Sequence, residues 1–226
     1  MKIFRLSSLL CGLLYAGTMF AVAACQPVTS RPGLPVATSA VSATVAPASA
    51  GAQASGETSS SHFKLPMTFT LGTDLYISED YSDFVTIKHK QEGWELAFNL
   101  VTTAEVTDPV DPSGKRVPFP EDFTSWIQAN PDFVAAAPTA VTVAGYPGVQ
   151  IDVTPVWTSS TAYKKPFLHL QSTGWNLITD PEKWRFIMLD DVGGERILIL
   201  QITPPEDFDQ ATELAQEVLK TMTISK

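Results

Sequence analysis

The 226-residue chain carries 15 basic and 24 acidic residues, a formal net charge of −9, with three His and two Cys. That balance excludes a nucleic-acid binder, which needs clustered Lys and Arg against phosphates. Cys11 and Cys25 both lie near the start, so the rest of the chain has no disulfide, no thiolate zinc site and no cysteine nucleophile. In chain order, Lys2 and Arg5 come first, followed by an apolar run, Leu6–Val22, and then Ala23-Ala24-Cys25. Basic, then apolar, then small is the order of a secretory signal. The run is 17 residues long and is interrupted by Ser7, Ser8, Gly12, Gly17 and Thr18. It is at the short limit for an uncut transmembrane anchor, the alternative reading.

Val22-Ala23-Ala24-Cys25 resembles the lipobox of bacterial lipoproteins: aliphatic, small, small, Cys. The resemblance covers residues 1–25. It implies cleavage after residue 24, acylation of the Cys25 thiol, and a lipid anchor holding the protein to the cell membrane on its outer side. Each buried methylene of such an anchor adds about 0.8 kcal/mol. Loss of Lys2 and Arg5 with the signal leaves 13 basic and 24 acidic residues, net −11. Such a surface stands off anionic headgroups.

Residues 26–62 read as a tether that continues from the lipidated Cys25. They contain no Phe, Tyr or Trp, and their only formal charges are Arg31 and Glu57. A segment with so little large apolar surface does not offset its ordering entropy. As a coil it spans roughly 30–37 Å root-mean-square. Its Ser/Thr/Pro content also suits an O-glycosylated stalk.

Residues 63–226 hold all five Trp and read as one domain. Met67–Leu71, Leu75–Ser78, Phe84–His89 and Glu95–Val101 read as strands separated by turn residues. Thr102–Pro120 is dense in proline and reads as a loop. Glu121 and Asp122 then begin a short helix, with Phe123, Trp126 and Ile127 on its buried face and Asn130-Pro131 as its stop. Ala140–Val143 and Val149–Thr154 form a hairpin, with Pro147-Gly148 suited to the centre of a type II turn. Pro155–Pro166 reads as a loop, Phe167–Gln171 as a strand, and Ser172–Pro181 as another loop. Trp184–Leu189 and Arg196–Thr203 are strands joined across Asp190–Glu195. Ile197-Leu198-Ile199-Leu200 is apolar without alternation, so that strand belongs mid-sheet with both faces covered. Thr203-Pro204-Pro205-Glu206 fits a capping box. Phe208, Ala211, Leu214, Ala215, Val218 and Met222 then follow at helical spacing. The order implies an α+β domain: a largely antiparallel sheet covered by a long C-terminal helix and a short mid-chain helix. Phe123-Thr124-Ser125-Trp126, the Val-Ala-Gly-Tyr-Pro-Gly run at 143–148 and the closing hairpin and helix together resemble the PsbP-like α/β/α sandwich. That resemblance covers 63–226. The fold class it implies has adaptor and binding members and shares no catalytic residues.

The chemistry-bearing residues are sparse. His62 borders the tether, while His89 and His169 sit in strands without a second His or Cys nearby, as structural histidines do. No nucleophile elbow, zinc-protease helix, P-loop or dinucleotide fingerprint occurs, and no motif implies a cofactor. Asp190, Asp191 and Glu195 form a weak candidate calcium cluster. A polar turn with Gly193-Gly194 explains them as well. Phe119, Trp157, Tyr163 and Trp175 fall in predicted loops, where aromatics anchor partners or fold back into satellite core. The function these features suggest is a non-catalytic binding or adaptor module that takes an envelope protein or an extracellular ligand. The alternative is an extracytoplasmic hydrolase without a local motif, which needs a cleft with a His and a carboxylate in reach.

The lipobox generates a first prediction. Cys25→Ala should release the mature domain or leave an uncut precursor, and should abolish incorporation of labelled lipid. Unchanged membrane partition with undiminished label would overturn lipidation.

Overall fold

A computed structural model describes residues 56–90, 93–111, 113–156, 166–172, 174–176 and 182–225. The strands in chain order are β1 Gly56–Ser59, β2 Met67–Leu71, β3 Leu75–Asp80, β4 Phe84–His89 and β5 Glu95–Leu100. A hairpin of β6 Glu105–Thr107 and β7 Arg116–Pro118 precedes helix α1, Phe123–Ala129. After it come β8 Phe133–Ala135, β9 Thr139–Val143, β10 Tyr146–Pro155, β11 Pro166–His169 and β12 Gly174–Asn176. β13 Lys183–Val192, β14 Glu195–Thr203, helix α2 Phe208–Thr221 and β15 Thr223–Ile224 close the chain. The described strand pairings are antiparallel. This is an α+β architecture of mostly antiparallel sheets with two helices.

The largest sheet runs β3-β4-β5-β14-β13-β10-β8, with β9 also paired to β10. β14 lies between β5 and β13, as its unbroken apolar run requires. Strand alternation sends its side chains to two separate cores. Ile197 and Ile199 face α2 and the small sheet β1-β2-β15. Leu198, Leu200 and Ile202 face α1 and the sheet β12-β11-β6-β7. The second core is aromatic: Phe123, Phe133, Phe167, Trp184 and Phe186 meet with ring centroids 5.2–6.4 Å apart.

Helix α1 begins where its sequence says. Asp122 Oδ1 accepts from the Ser125 backbone N–H at 2.9 Å and Oδ2 from its hydroxyl at 2.6 Å, satisfying a first-turn donor. It stops at Asn130, next to Pro131.

Five expectations are corrected. The folded region begins by Gly56 rather than at residue 63, because β1 pairs with β2 through its backbone. Small Ser and Thr side chains do not reveal such pairing. The 102–120 loop contains the β6–β7 hairpin. Among the described residues β7 pairs only with β6, so Pro118 sits on an edge that needs no donor from it. The turn of the β9–β10 hairpin is Ala144-Gly145, with φ of 52° and 84°, the left-handed pair of a two-residue hairpin loop. Gly148 instead lies inside β10, where an added Cβ would sit 2.5 Å from the Met188 carbonyl oxygen. β13 and β14 extend to Val192 and Glu195, and Gly193-Gly194 alone turn the chain. The capping box does not form. Thr203 ends β14 and its hydroxyl donates to the Ile202 carbonyl at 2.6 Å, while a 3-10 turn, Pro205–Asp207, leads into α2.

Leu198 and Leu200 are both fully buried, on the α1 side. Changing either to Ala should cost about 2–5 kcal/mol in denaturant unfolding. A loss under about 0.5 kcal/mol, the range of surface changes, would contradict the mid-sheet placement.

Candidate functional site

Helix α2 buries Phe208, Ala211, Ala215 and Val218, with Met222 just past its end. Two of these are alanines near its middle, so the helix meets the sheet there with little side-chain volume. Beside it, β9 supplies Val141, Thr142 and Val143. The result is a cleft of about 300 Å³, at the lower end of small-ligand sites. Its floor is Leu96, Ile187 and Ile199, with Val141 and Val143 on one side and Ala215 and Leu219 on the other.

The rim is polar and rich in amides: Gln150, Gln201 and Gln216, with Thr142, Thr212 and the exposed Lys220. Gln201 is only 2% exposed, and its amide donates to Thr212 Oγ1 at 3.2 Å, tying β14 to α2. Arg185 also lines the cleft. Its Nε and Nη2 donate to the two Asp152 oxygens at 2.6 and 2.8 Å, a bidentate pair between directly opposed residues of β13 and β10. The ring of Phe208, at the start of α2, lies under Lys183 and Arg185, 3.9 Å and 5.2 Å from its centroid. Among the described residues the lining includes no Ser, Cys, His, Asp or Glu. Such a surface can bind an apolar body and hydrogen-bond a polar group.

A second hollow of about 230 Å³ lies at the start of α2 and includes His89, Trp94, Thr203 and Asp207. Trp94 donates to the Ala211 carbonyl at 3.1 Å, and the Thr203 hydroxyl is turned to its own strand. Neither side chain is poised toward a ligand.

The residues picked from sequence lie elsewhere. Phe119 is 8% exposed, stacks on Phe123 at 5.2 Å and carries Arg196 over its ring. It belongs to the core on the opposite side of the sheet from the cleft, and so is no surface anchor. Trp157, Tyr163 and Cys25 lie outside the described residues. Trp175 falls in a strand, β12, not a loop. The three acidic residues of the β13–β14 turn do not converge on a common point. Asp190 takes Arg196 at 3.2 Å, Asp191 accepts from the Gly194 N–H at 3.0 Å, and Glu195 pairs with Lys64. Among the described residues no three His, Cys, Asp or Glu side chains are placed to hold a metal. His169 is buried beside Thr107 Oγ1 at 3.1 Å. Burial, with Arg116 adding to it, lowers its pKa, so it packs as a neutral ring.

His62 stands beside Ser61 and Asp80, a trio with the composition of a hydrolytic triad but not its geometry. Ser61 Oγ lies 2.9 Å and Asp80 Oδ2 3.5 Å from the same ring nitrogen, Nδ1, and the Ser61 hydroxyl itself donates to Asp80. A triad uses opposite ring nitrogens for hydroxyl and carboxylate. The trio is a clasp. Asp80 accepts from Ser60 Oγ at 2.5 Å, the Ser61 N–H at 2.7 Å and the His62 N–H at 3.3 Å, fixing the segment after β1 to the edge strand β3.

No protein-family model matches the sequence, and no curated protein matches it. Among solved structures the chain is similar to LpqN, involved in cell envelope biogenesis of Mycobacterium tuberculosis. That match has 11% identity and a TM-score of 0.41, covering 76% of this chain and 91% of that one. It is also similar to PsbP (CyanoP) from Synechocystis sp. PCC 6803, with 9% identity and a TM-score of 0.35, covering 70% and 86%. Both identities are low, so the functional reading rests on the cleft.

The cleft was missed because it has no motif. Its one trace in the sequence is Gln201, a polar residue inside the apolar run of β14.

The clasp predicts an acid response. Burial pushes the Asp80 pKa up, but its accepted hydrogen bonds outweigh this and hold it below the usual 3.8. Its stabilising contribution is therefore complete above about pH 3.8 and is lost as pH falls through the lower folded value. Amide exchange in β1 should accelerate over that range, and Asp80→Asn should accelerate it at neutral pH. Exchange in β1 that is indifferent to both changes would remove the clasp.

Proposed function

We propose that the chain is a membrane-tethered extracytoplasmic binding module, without catalysis, whose ligand sits in the cleft between α2 and the β5-β14-β13-β10-β9 surface. The observation that carries this reading is the cleft's lining: an apolar floor, a rim of amides and hydroxyls with Lys220 beside them, and, among the described residues, none of the Ser, Cys, His or carboxylate groups that most acid–base and covalent catalysis uses. Arg185 is paired with Asp152 and orders the wall, while Lys220 stands exposed at the rim. The ligand is therefore apolar along one side and hydrogen-bonding along the other. The arrangement of a sheet covered on both faces, with α2 on one and α1 on the other, fits the PsbP-like sandwich that the closing motifs resemble. Lipidation at Cys25, suggested by the lipobox, would hold the module at the outer face of the membrane. The hydrolase reading is not favoured, since the His62–Asp80 contact lacks triad geometry and neither His62 nor His89 lines this cleft.

The test uses the amphipathic dye 1-anilinonaphthalene-8-sulfonate. It should bind saturably at one site per chain. Leu219→Trp, which fills the cleft from α2, should weaken it at least tenfold with the thermal midpoint unchanged. Non-saturable binding, or equal affinity in the variant, would overturn the site.

A further inference from the structure

We propose that the partner of this cleft is an extended peptide that adds as a strand to the open edge at β9. The inference rests on the cleft reading above and names the class of its ligand.

From Phe133 to Ile151 the sequence has no charged residue, although the chain as a whole is at −9. The outer part of that stretch is solvent-exposed. Val134 is 65% exposed, and Ala136, Ala137, Thr139, Ala140 and Thr142 are exposed too. Among the described residues β9 pairs only with β10, whose other side is taken by β13. The pairing pattern shows which backbone groups β9 leaves over. The two-residue turn makes Val143 and Tyr146 a hydrogen-bonded pair. Thr142 is opposite Pro147, which has no N–H to give. Alternation then turns the N–H and C=O of Thr142 and Ala140 outward.

Natural sheets blunt such edges with charge, proline or bulges. The other end of this sheet does so. β3 carries Glu79 and Asp80 and a register shift between Ile77 and Glu79. Pro138 separates β9 from β8, but β9 itself has neither charge nor proline. Its Val141 and Val143 form one side of the cleft. Residues of an added strand opposite those two share their face and project over the cleft. Backbone bonds along β9 would supply affinity, and alternate side chains above the cleft would supply selectivity.

The occupant is a bare peptide rather than a second copy. Two copies would bring −9 against −9. Charge complementarity gives the peptide an uncharged, aliphatic centre and basic flanks.

The probe is a synthetic peptide of three Val-Thr repeats between Lys-Lys pairs, added to the full-length chain in detergent. Binding is followed by fluorescence anisotropy, and amide exchange is read at Ala140 and Thr142. Exchange at both amides should slow at least tenfold. Ala140→Pro removes an outward donor without breaking a β9–β10 bond, and should weaken binding at least tenfold, as should backbone N-methylation of the peptide's Thr residues. If Ala140→Pro lowers the thermal midpoint, Thr142→Lys replaces it with the same expectation. Unchanged exchange, unaltered affinity in these variants, or no binding at millimolar peptide overturns the strand-addition proposal. If the dye still binds and Leu219→Trp still blocks it, the cleft reading survives that failure. Peptide protection without dye binding would instead sink the cleft reading and keep the edge. A dimer in sedimentation that Ala140→Pro dissolves, without peptide binding, names a second copy as the occupant and overturns the proposal.

Discussion

The structure depends on the two-sided burial of β14. Every residue from Ile197 to Thr203 is buried, and alternate side chains enter cores on opposite faces of the sheet. At about 25 cal/mol per Å² of apolar surface, leaving either face wet would forfeit several side chains' worth of burial. Both faces must therefore be roofed. One roof is α2 with β1, β2 and β15, and the other is α1 with β6, β7, β11 and β12. The short pieces of chain that looked like loops are recruited as strands because they are needed as cover.

The cleft follows from how the first roof is made. A single helix is narrower than the sheet it covers, and Ala211 and Ala215 keep its underside shallow. The β9–β10 hairpin lines the side of the gap that this leaves. Gln201 then becomes a constraint. It points from the central strand toward the helix, and a buried amide left unpaired costs about 1–3 kcal/mol. Thr212 supplies a partner from α2. The bond that satisfies the core also places a polar group at the cleft, so the binding surface is continuous with the packing that holds the helix down.

The two ends of the large sheet are treated differently. At β3, carboxylates and a register shift close the edge, and Asp80 takes up the chain that follows β1. At β9, an uncharged strand beside the cleft pairs, among the described residues, only with β10. In a chain so acidic, an uncharged strip is where another polypeptide can approach without repulsion.

The sequence by itself determined the central strands, both helices and the α+β class, because periodicity and two-sided apolar runs encode burial directly. Phe84–His89 and the 197–200 run were legible residue by residue, whereas Asp122, read as a helix-start charge, is the cap. Turns were legible only where backbone conformation alone decides them. Pro147-Gly148 looked like a turn, but the close approach of β13 makes Gly148 a strand residue and leaves the turn to Ala144-Gly145. Phe119 looked like a surface anchor, but Phe123 and Arg196 enclose it. Only the tertiary structure decided the cleft and the open edge, because neither is a local property. The cleft is a volume between a helix and strands scattered from Leu96 to Lys220, and an edge exists only where no other strand arrives.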